Sequence, residues 1–87
     1  MSHRVEIVAP ARRVLPRLPR DLRDQIRAAI RGLANDPRPH GCCQVVSRPG
    51  YWRVRVRGWR VIYGIDDAAQ VVTVVEIMPR QDDYRQR

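Results

Sequence analysis

Residues 51–65 read YWRVRVRGWRVIYGI, two runs rich in β-branched and aromatic residues joined by Arg57-Gly58. Such runs around a two-residue Gly-containing link predict a β-hairpin. With the loop at Arg57-Gly58, Val56 faces Trp59, Val54 faces Val61 and Trp52 faces Tyr63. These six side chains share one apolar face, suited to packing on helices. The opposite face carries Arg55 across from Arg60 and Arg53 across from Ile62, so three arginines converge on one patch. Directly opposed like charges destabilise a sheet. A polyanion reverses the sign of that term, because guanidinium groups fork charge-assisted hydrogen bonds onto phosphate oxygens. The plainer alternatives are a solvated strand face whose charges block edge-to-edge pairing, or internal neutralisation by Glu76 or Asp82.

The rest of the chain sharpens this charge pattern. Seventeen basic residues stand against nine acidic ones in 87, a formal net charge of +8, and every basic residue is Arg. Between Asp36 and Asp66 no acidic residue occurs, while Arg38, Arg48, Arg53, Arg55, Arg57 and Arg60 do. A balance this basic favours an anionic partner: nucleic acid, an acidic protein or a membrane surface. The length predicts one small domain over residues 1–87 with a modest core.

Upstream of the hairpin, HRVEIV (3–8) reads as a short first strand. Pro10 suits the opening of a short helix over about 10–16. The strongest helical signal is PRDLRDQIRAAIRGLAND (19–36), with Pro19 at its first position. There Leu22, Ile26, Ala29, Ile30 and Leu33 form one apolar stripe, with Arg20, Arg23, Arg27 and Arg31 outside it. DPRP ends the helix. Each stripe needs a partner layer, so two helices pressed on a sheet follow. CCQVV (42–46) is either a strand start or an irregular lead-in. VVTVVEIM (71–78) completes an antiparallel meander. Its two-sided apolar run predicts a central strand covered on both faces, ended by Pro79, with a tail or helical turn over RQDDYRQR. The expected class is therefore α+β: two N-terminal helices on a mostly antiparallel sheet of about four strands.

Other chemistries find little support. Adjacent Cys42 and Cys43 read as ordinary residues, since a bridge between neighbours is strained. With His40 and His3 they do not supply four ligands at workable spacing, so no metal and no cofactor are expected. MSHRVEIVAP has no apolar run of signal length and no segment approaches a membrane span, so a cytoplasmic protein with no membrane partner is expected.

The helix ending in L..DPRP, the R.R....R.IY.IDD hairpin and the final R...YR, taken together, resemble the RelE/ParE superfamily of toxins from type II toxin–antitoxin pairs. The likeness covers nearly the whole chain. It implies two N-terminal helices against a sheet of about four strands. A RelE-like member is a ribosome-dependent mRNA endonuclease (an mRNA interferase) that inhibits translation. In it the RNA 2′-hydroxyl attacks its own neighbouring phosphate. Carried over by motif, the resemblance implies Arg53, Arg55, Arg60, Arg80 and Tyr84 as the catalytic set. Arg48, Arg57 and Arg85 are further candidates for RNA contacts. Arginine is a poor general base, and Pro79 stands where many relatives have His before the Arg equated with Arg80. The proton acceptor stays open among Tyr84, Glu76 and a ribosomal group.

The resemblance also implies a cognate antitoxin, acidic and helical, in a heteromeric toxin–antitoxin complex, with the ribosome and mRNA as targets. A ParE-like member instead inhibits DNA gyrase without nuclease activity. A basic RNA-binding module with no toxicity is the third reading of the same charge.

Overall fold

A computed structural model describes residues 2–79. The element order is β1 (Arg4–Ile7), α1 (Ala9–Val14), a 3-10 turn (Leu15–Arg17), α2 (Arg20–Gly32), β2 (Cys43–Gln44), β3 (Tyr51–Val56), β4 (Trp59–Asp66) and β5 (Val71–Pro79). The strands form one sheet in the order β1-β5-β4-β3-β2. The β1–β5 pair is parallel and the other pairs are antiparallel. The sheet thus has five strands rather than about four, and the extra one is β2. CCQVV gives only a two-residue edge strand, Cys43 opposite Arg53 and Gln44 opposite Trp52, before the chain turns away.

The hairpin takes the register expected from its turn. Arg57 (φ 50°) and Gly58 (φ 81°) both have positive φ, the turn whose twist matches the flanking strands. Val56 opposes Trp59, Val54 opposes Val61 and Trp52 opposes Tyr63. On that face Val61 and Tyr63 are fully buried, and Trp52, Val54, Val56 and Trp59 pack against the core at its margin.

The helices cover the same face. Leu22, Ile26, Ile30 and Leu33 of the α2 stripe are buried, as are Ala11 and Leu15 before them. They meet Val61, Tyr63, Val72, Val74 and Ile77 of the sheet. Each such Leu or Ile contributes about 1.5–3 kcal/mol when fully removed from water. The α2 helix is shorter than its stripe. It stops at Gly32, and residues 33–35 continue as turns, with Asp36 N–H donating to Gly32 O at 3.0 Å. Pro19 precedes the helix as its cap residue rather than opening it.

In β5, the strand expected to be covered on both faces, only the helix side is buried. Val72 and Val74 are sealed, while Val71, Thr73 and Val75 are half-exposed. A bulge also interrupts it. Ile62 pairs with Glu76 but the next residue, Tyr63, pairs with Val74, which leaves Val75 as an extra residue. A bulge resets the alternation of faces. Beyond it Ile77 points into the core beside Val61, and Glu76 turns to the opposite face.

Polar contacts close one end of the sheet. The buried Tyr63 hydroxyl donates to Pro37 O at 2.8 Å. Burial, ahead of the neighbouring Cys42 thiol, pushes the Tyr63 phenol well above its ordinary pKa. Arg38 donates to both carboxylate oxygens of Asp67, at 3.4 and 2.9 Å, and lies 5.2 Å from the centroid of the Trp52 ring. Hydrogen bonding from Arg38 holds the Asp67 carboxyl below the usual carboxylate range. His3 reaches the same carboxylate at 3.5 Å, tying the N-terminal strand to this end.

Candidate functional site

The face of the sheet away from the helices is built in rungs across β3, β4 and β5. Same-face residues recur about every 6.8 Å along a strand. The first rung is Arg55, Arg60 and Met78; the second is Arg53, Ile62 and Glu76; the third is Tyr51, Gly64 and Thr73. Three arginines therefore occupy two adjacent rungs. Arg55 and Arg60 are direct cross-strand partners, which places their Cβ atoms about 5 Å apart.

Their environments differ. Arg55 is exposed, Arg53 is half-buried, and Arg60 is only 8% exposed, the one buried charged residue among those described. Among the described residues no carboxylate lies within ion-pair distance of Arg53 or Arg55. Glu76, a possible neutraliser of the patch, pairs elsewhere. Its Oε1 accepts a hydrogen bond from Nη1 of Arg48 at 2.8 Å.

That pairing brings in Arg48 from the β2–β3 connection and, through it, Tyr51 at the start of β3. Arg48 N–H donates to Val45 O and Tyr51 N–H to Arg48 O, both at 3.1 Å, so the loop is internally held. The Arg48 side chain then reaches over the sheet to Glu76, with its guanidinium 4.6 Å from the centroid of the Tyr51 ring. Arg48 and Glu76 are 39% and 45% exposed, so this pair orients more than it stabilises. Arg48 thereby reaches onto the arginine face.

The remaining candidates separate. Arg57 lies at the hairpin tip, exposed and in the left-handed region, at the edge of the patch. Arg80, Tyr84 and Arg85 lie outside the described residues, as does Asp82. One residue of the face, Tyr51, went unnamed in the sequence reading, although 51, 53 and 55 alternate onto one face. Glu76 is named there as a neutraliser and as a proton acceptor, but its orientation depends on the bulge at Val75, since alternation counted from Val72 and Val74 turns it inward.

This geometry presents several cations on adjacent rungs of one face, with an aromatic ring at one end. Such a surface can hold phosphate oxygens by forked hydrogen bonds and stack a base beside them.

Comparison with known families and structures agrees on the type of protein. Residues 5–84 match the family model described as the ParE toxin of the type II toxin–antitoxin system parDE. Comparison with curated protein sequences found no match. The structure is similar to RelE in the archaeal RelE–RelB complex from Pyrococcus horikoshii, with a TM-score of 0.81 and 22% identity over 92% of this chain and 97% of that one. It is similar to the toxin–antitoxin complex RelBE of E. coli, with a TM-score of 0.78 and 19% identity over 90% and 96%. It is also similar to a YoeB/ParE toxin from Agrobacterium tumefaciens, with a TM-score of 0.75 and 17% identity over 87% and 96%. At these identities the structural likenesses speak for the fold. The family match spans nearly the whole chain, and the protein belongs to the ParE toxin family of type II toxin–antitoxin systems, within the RelE/ParE superfamily.

Proposed function

For this member of the family we infer a ribosome-dependent mRNA endonuclease acting in the cytoplasm. The supporting observation is the gathering of Arg53, Arg55 and Arg60 on one face of the β3–β4 hairpin. Phosphoryl transfer from RNA to its own 2′-hydroxyl needs alignment and stabilisation of charge on the non-bridging oxygens more than covalent help. In the proposed reaction the 2′-oxygen forms a bond to phosphorus and the bond to the 5′-oxygen breaks. The products are a 2′,3′-cyclic phosphate and a free 5′-hydroxyl. Arg53, Arg55 and Arg60 cradle the non-bridging oxygens. Arg80 stabilises or protonates the leaving 5′-oxygen, and Tyr84 orients the sugar or stacks on a base; these two roles rest on the motif alone. The proton of the 2′-hydroxyl goes to Tyr84, Glu76 or a ribosomal group. Glu76 enters this set with its carboxylate already accepting a hydrogen bond from Arg48.

The family match itself favours a second reading. Its model is that of ParE toxins, and Pro79 replaces the His that precedes the matching Arg in many RelE-like relatives. On that reading the toxin binds and inhibits DNA gyrase, and the arginine face contacts its target without chemistry.

The solved complexes with similar folds pair RelE with RelB, which supports a cognate antitoxin here, acidic and helical, whose charge offsets the arginine face. Mapping RNA 5′ ends after incubation with programmed ribosomes, alongside a gyrase supercoiling assay, separates the readings. New 5′-hydroxyl ends with unaffected supercoiling support the nuclease. Intact message with blocked supercoiling supports the gyrase inhibitor.

A further inference from the structure

The third rung carries a feature that phosphate binding does not use. A shallow groove of about 350 Å³ opens on the arginine face between the Tyr51 ring and the side chains of Thr73 and Val75, with Asp66 at one end. Its floor is Gly64. This glycine is not among those with positive φ, so its backbone does not require the absence of a side chain. A Cβ built there meets the Tyr51 ring at 3.5 Å, an ordinary contact. The strand thus carries no side chain at a site where a Cβ makes only ordinary contacts, and the result is a slot beside the Tyr51 ring.

One face of that ring is covered by Arg48, 4.6 Å from its centroid and itself held by Glu76 at 2.8 Å, which leaves the other face for a stacked ring. Tyr51 lies two residues from Arg53 on the same face of β3, about 6.8 Å along the strand. One nucleotide therefore spans from a phosphate on Arg53 to a base against Tyr51. Asp66 is exposed, and its Oδ1 accepts from Ala69 N–H at 3.0 Å. Its other carboxylate oxygen can accept from the exocyclic amine of adenine or cytosine. The adjoining positive charge selects a polyanion over a neutral or basic occupant.

We propose that the groove over Gly64, walled by Tyr51, is a nucleobase subsite for the RNA whose phosphate lies on Arg53, Arg55 and Arg60. This rests on the RNA-binding reading given above. It adds a site at which one base, flanking the bound phosphate, is stacked and selected.

The test is fluorescence anisotropy with two fluorescein-labelled single-stranded hexamers, one of adenylates and one an abasic ribose–phosphate chain. Wild-type protein binds the base-bearing hexamer about tenfold more tightly than the abasic one, the scale of one stacked base. Gly64→Val fills the groove with a good strand former, and Tyr51→Ala removes the wall. Each brings the ratio near unity and leaves affinity for the abasic hexamer unchanged, with thermal melts confirming that both variants are folded. A wild-type ratio retained in both variants overturns the inference and leaves the groove to a protein side chain. If Arg53→Ala binds both hexamers as well as wild type, or wild type binds neither, the phosphate reading falls and the subsite falls with it.

Discussion

Arg55 and Arg60 stand directly opposite each other on β3 and β4, the first exposed and the second 8% exposed. Placing two guanidinium groups on one cross-strand pair opposes folding in the free protein. The same placement favours any anion that bridges them. Short single-stranded RNA at a hundred times its dissociation constant should therefore raise folding stability by about 2.7 kcal/mol. Arg55→Gln should raise stability at low salt by about 0.2–1 kcal/mol and blunt the RNA response. Denaturant titrations with and without RNA measure both effects. An Arg55→Gln protein that is less stable and equally responsive would count against a bridging anion.

The hairpin turn offers a gain in stability unconnected with RNA. Arg57 holds a φ of 50°, a conformation that costs an ordinary L-residue about 1–2 kcal/mol and that Asn tolerates better. Arg57→Asn should stabilise the protein by about 1 kcal/mol, a rise in Tm of roughly 4–8 °C. An unchanged or lower Tm would show that the Arg57 side chain makes a compensating contribution.

The bulge in β5 decides which side chains reach the arginine face. Deleting Val75 makes Glu76 follow Val74 directly, so the Tyr63–Val74 and Ile62–Glu76 pairs become consecutive rungs of a regular ladder, with Glu76 still on the arginine face and Ile77 still in the core. The single deletion should therefore keep a cooperative unfolding transition. Deleting both Val75 and Glu76 turns Ile77 out of the core and should cost about 2–5 kcal/mol. A single deletion that melts without cooperativity would contradict this register.

The contact between Arg38 and Asp67 gives a signature at acid pH. Hydrogen bonding from Arg38 lowers the Asp67 pKa in the folded state. Its contribution is therefore complete above the unfolded value of about 3.9 and disappears as pH falls through the lower folded value. Wild type should be more stable than Asp67→Asn at neutral pH, and the gap should close at strongly acid pH. Both groups are largely exposed, so the gap is small and shrinks with salt. A gap that does not vary with pH would mean that Asp67 acts through packing or hydrogen bonding of its neutral form.

The elements that were legible in advance had short-range causes. Arg57-Gly58 dictated the hairpin register, and the Leu22–Leu33 stripe dictated the helical face that meets it. Less accessible was anything set by contacts distant in sequence. The two-residue β2 exists because Cys43 and Gln44 find the free edge of β3, not because of strong local propensity. The half-open face of β5 could not be foreseen from Val71 to Val75, since an apolar run reads the same whether one side or both are covered. At the candidate site, alternation brought Arg53, Arg55 and Arg60 together. The Glu76–Arg48–Tyr51 arrangement depends on a bulge and on a loop side chain folding back over the sheet.

The central claim is that RNA phosphate lies among the hairpin arginines, and the salt dependence of RNA binding tests it most directly. Each phosphate contact on a single strand contributes a slope of about 0.7 to log K against log salt. Replacing Arg53 and Arg55 together by Gln should lower the slope for a single-stranded RNA hexamer by about 1.4. Replacing Arg20 and Arg27, exposed on α2, by Gln should leave it at the wild-type value. Equal slopes for wild type and the Arg53/Arg55 variant, or an equal loss from the α2 pair, would contradict the claim.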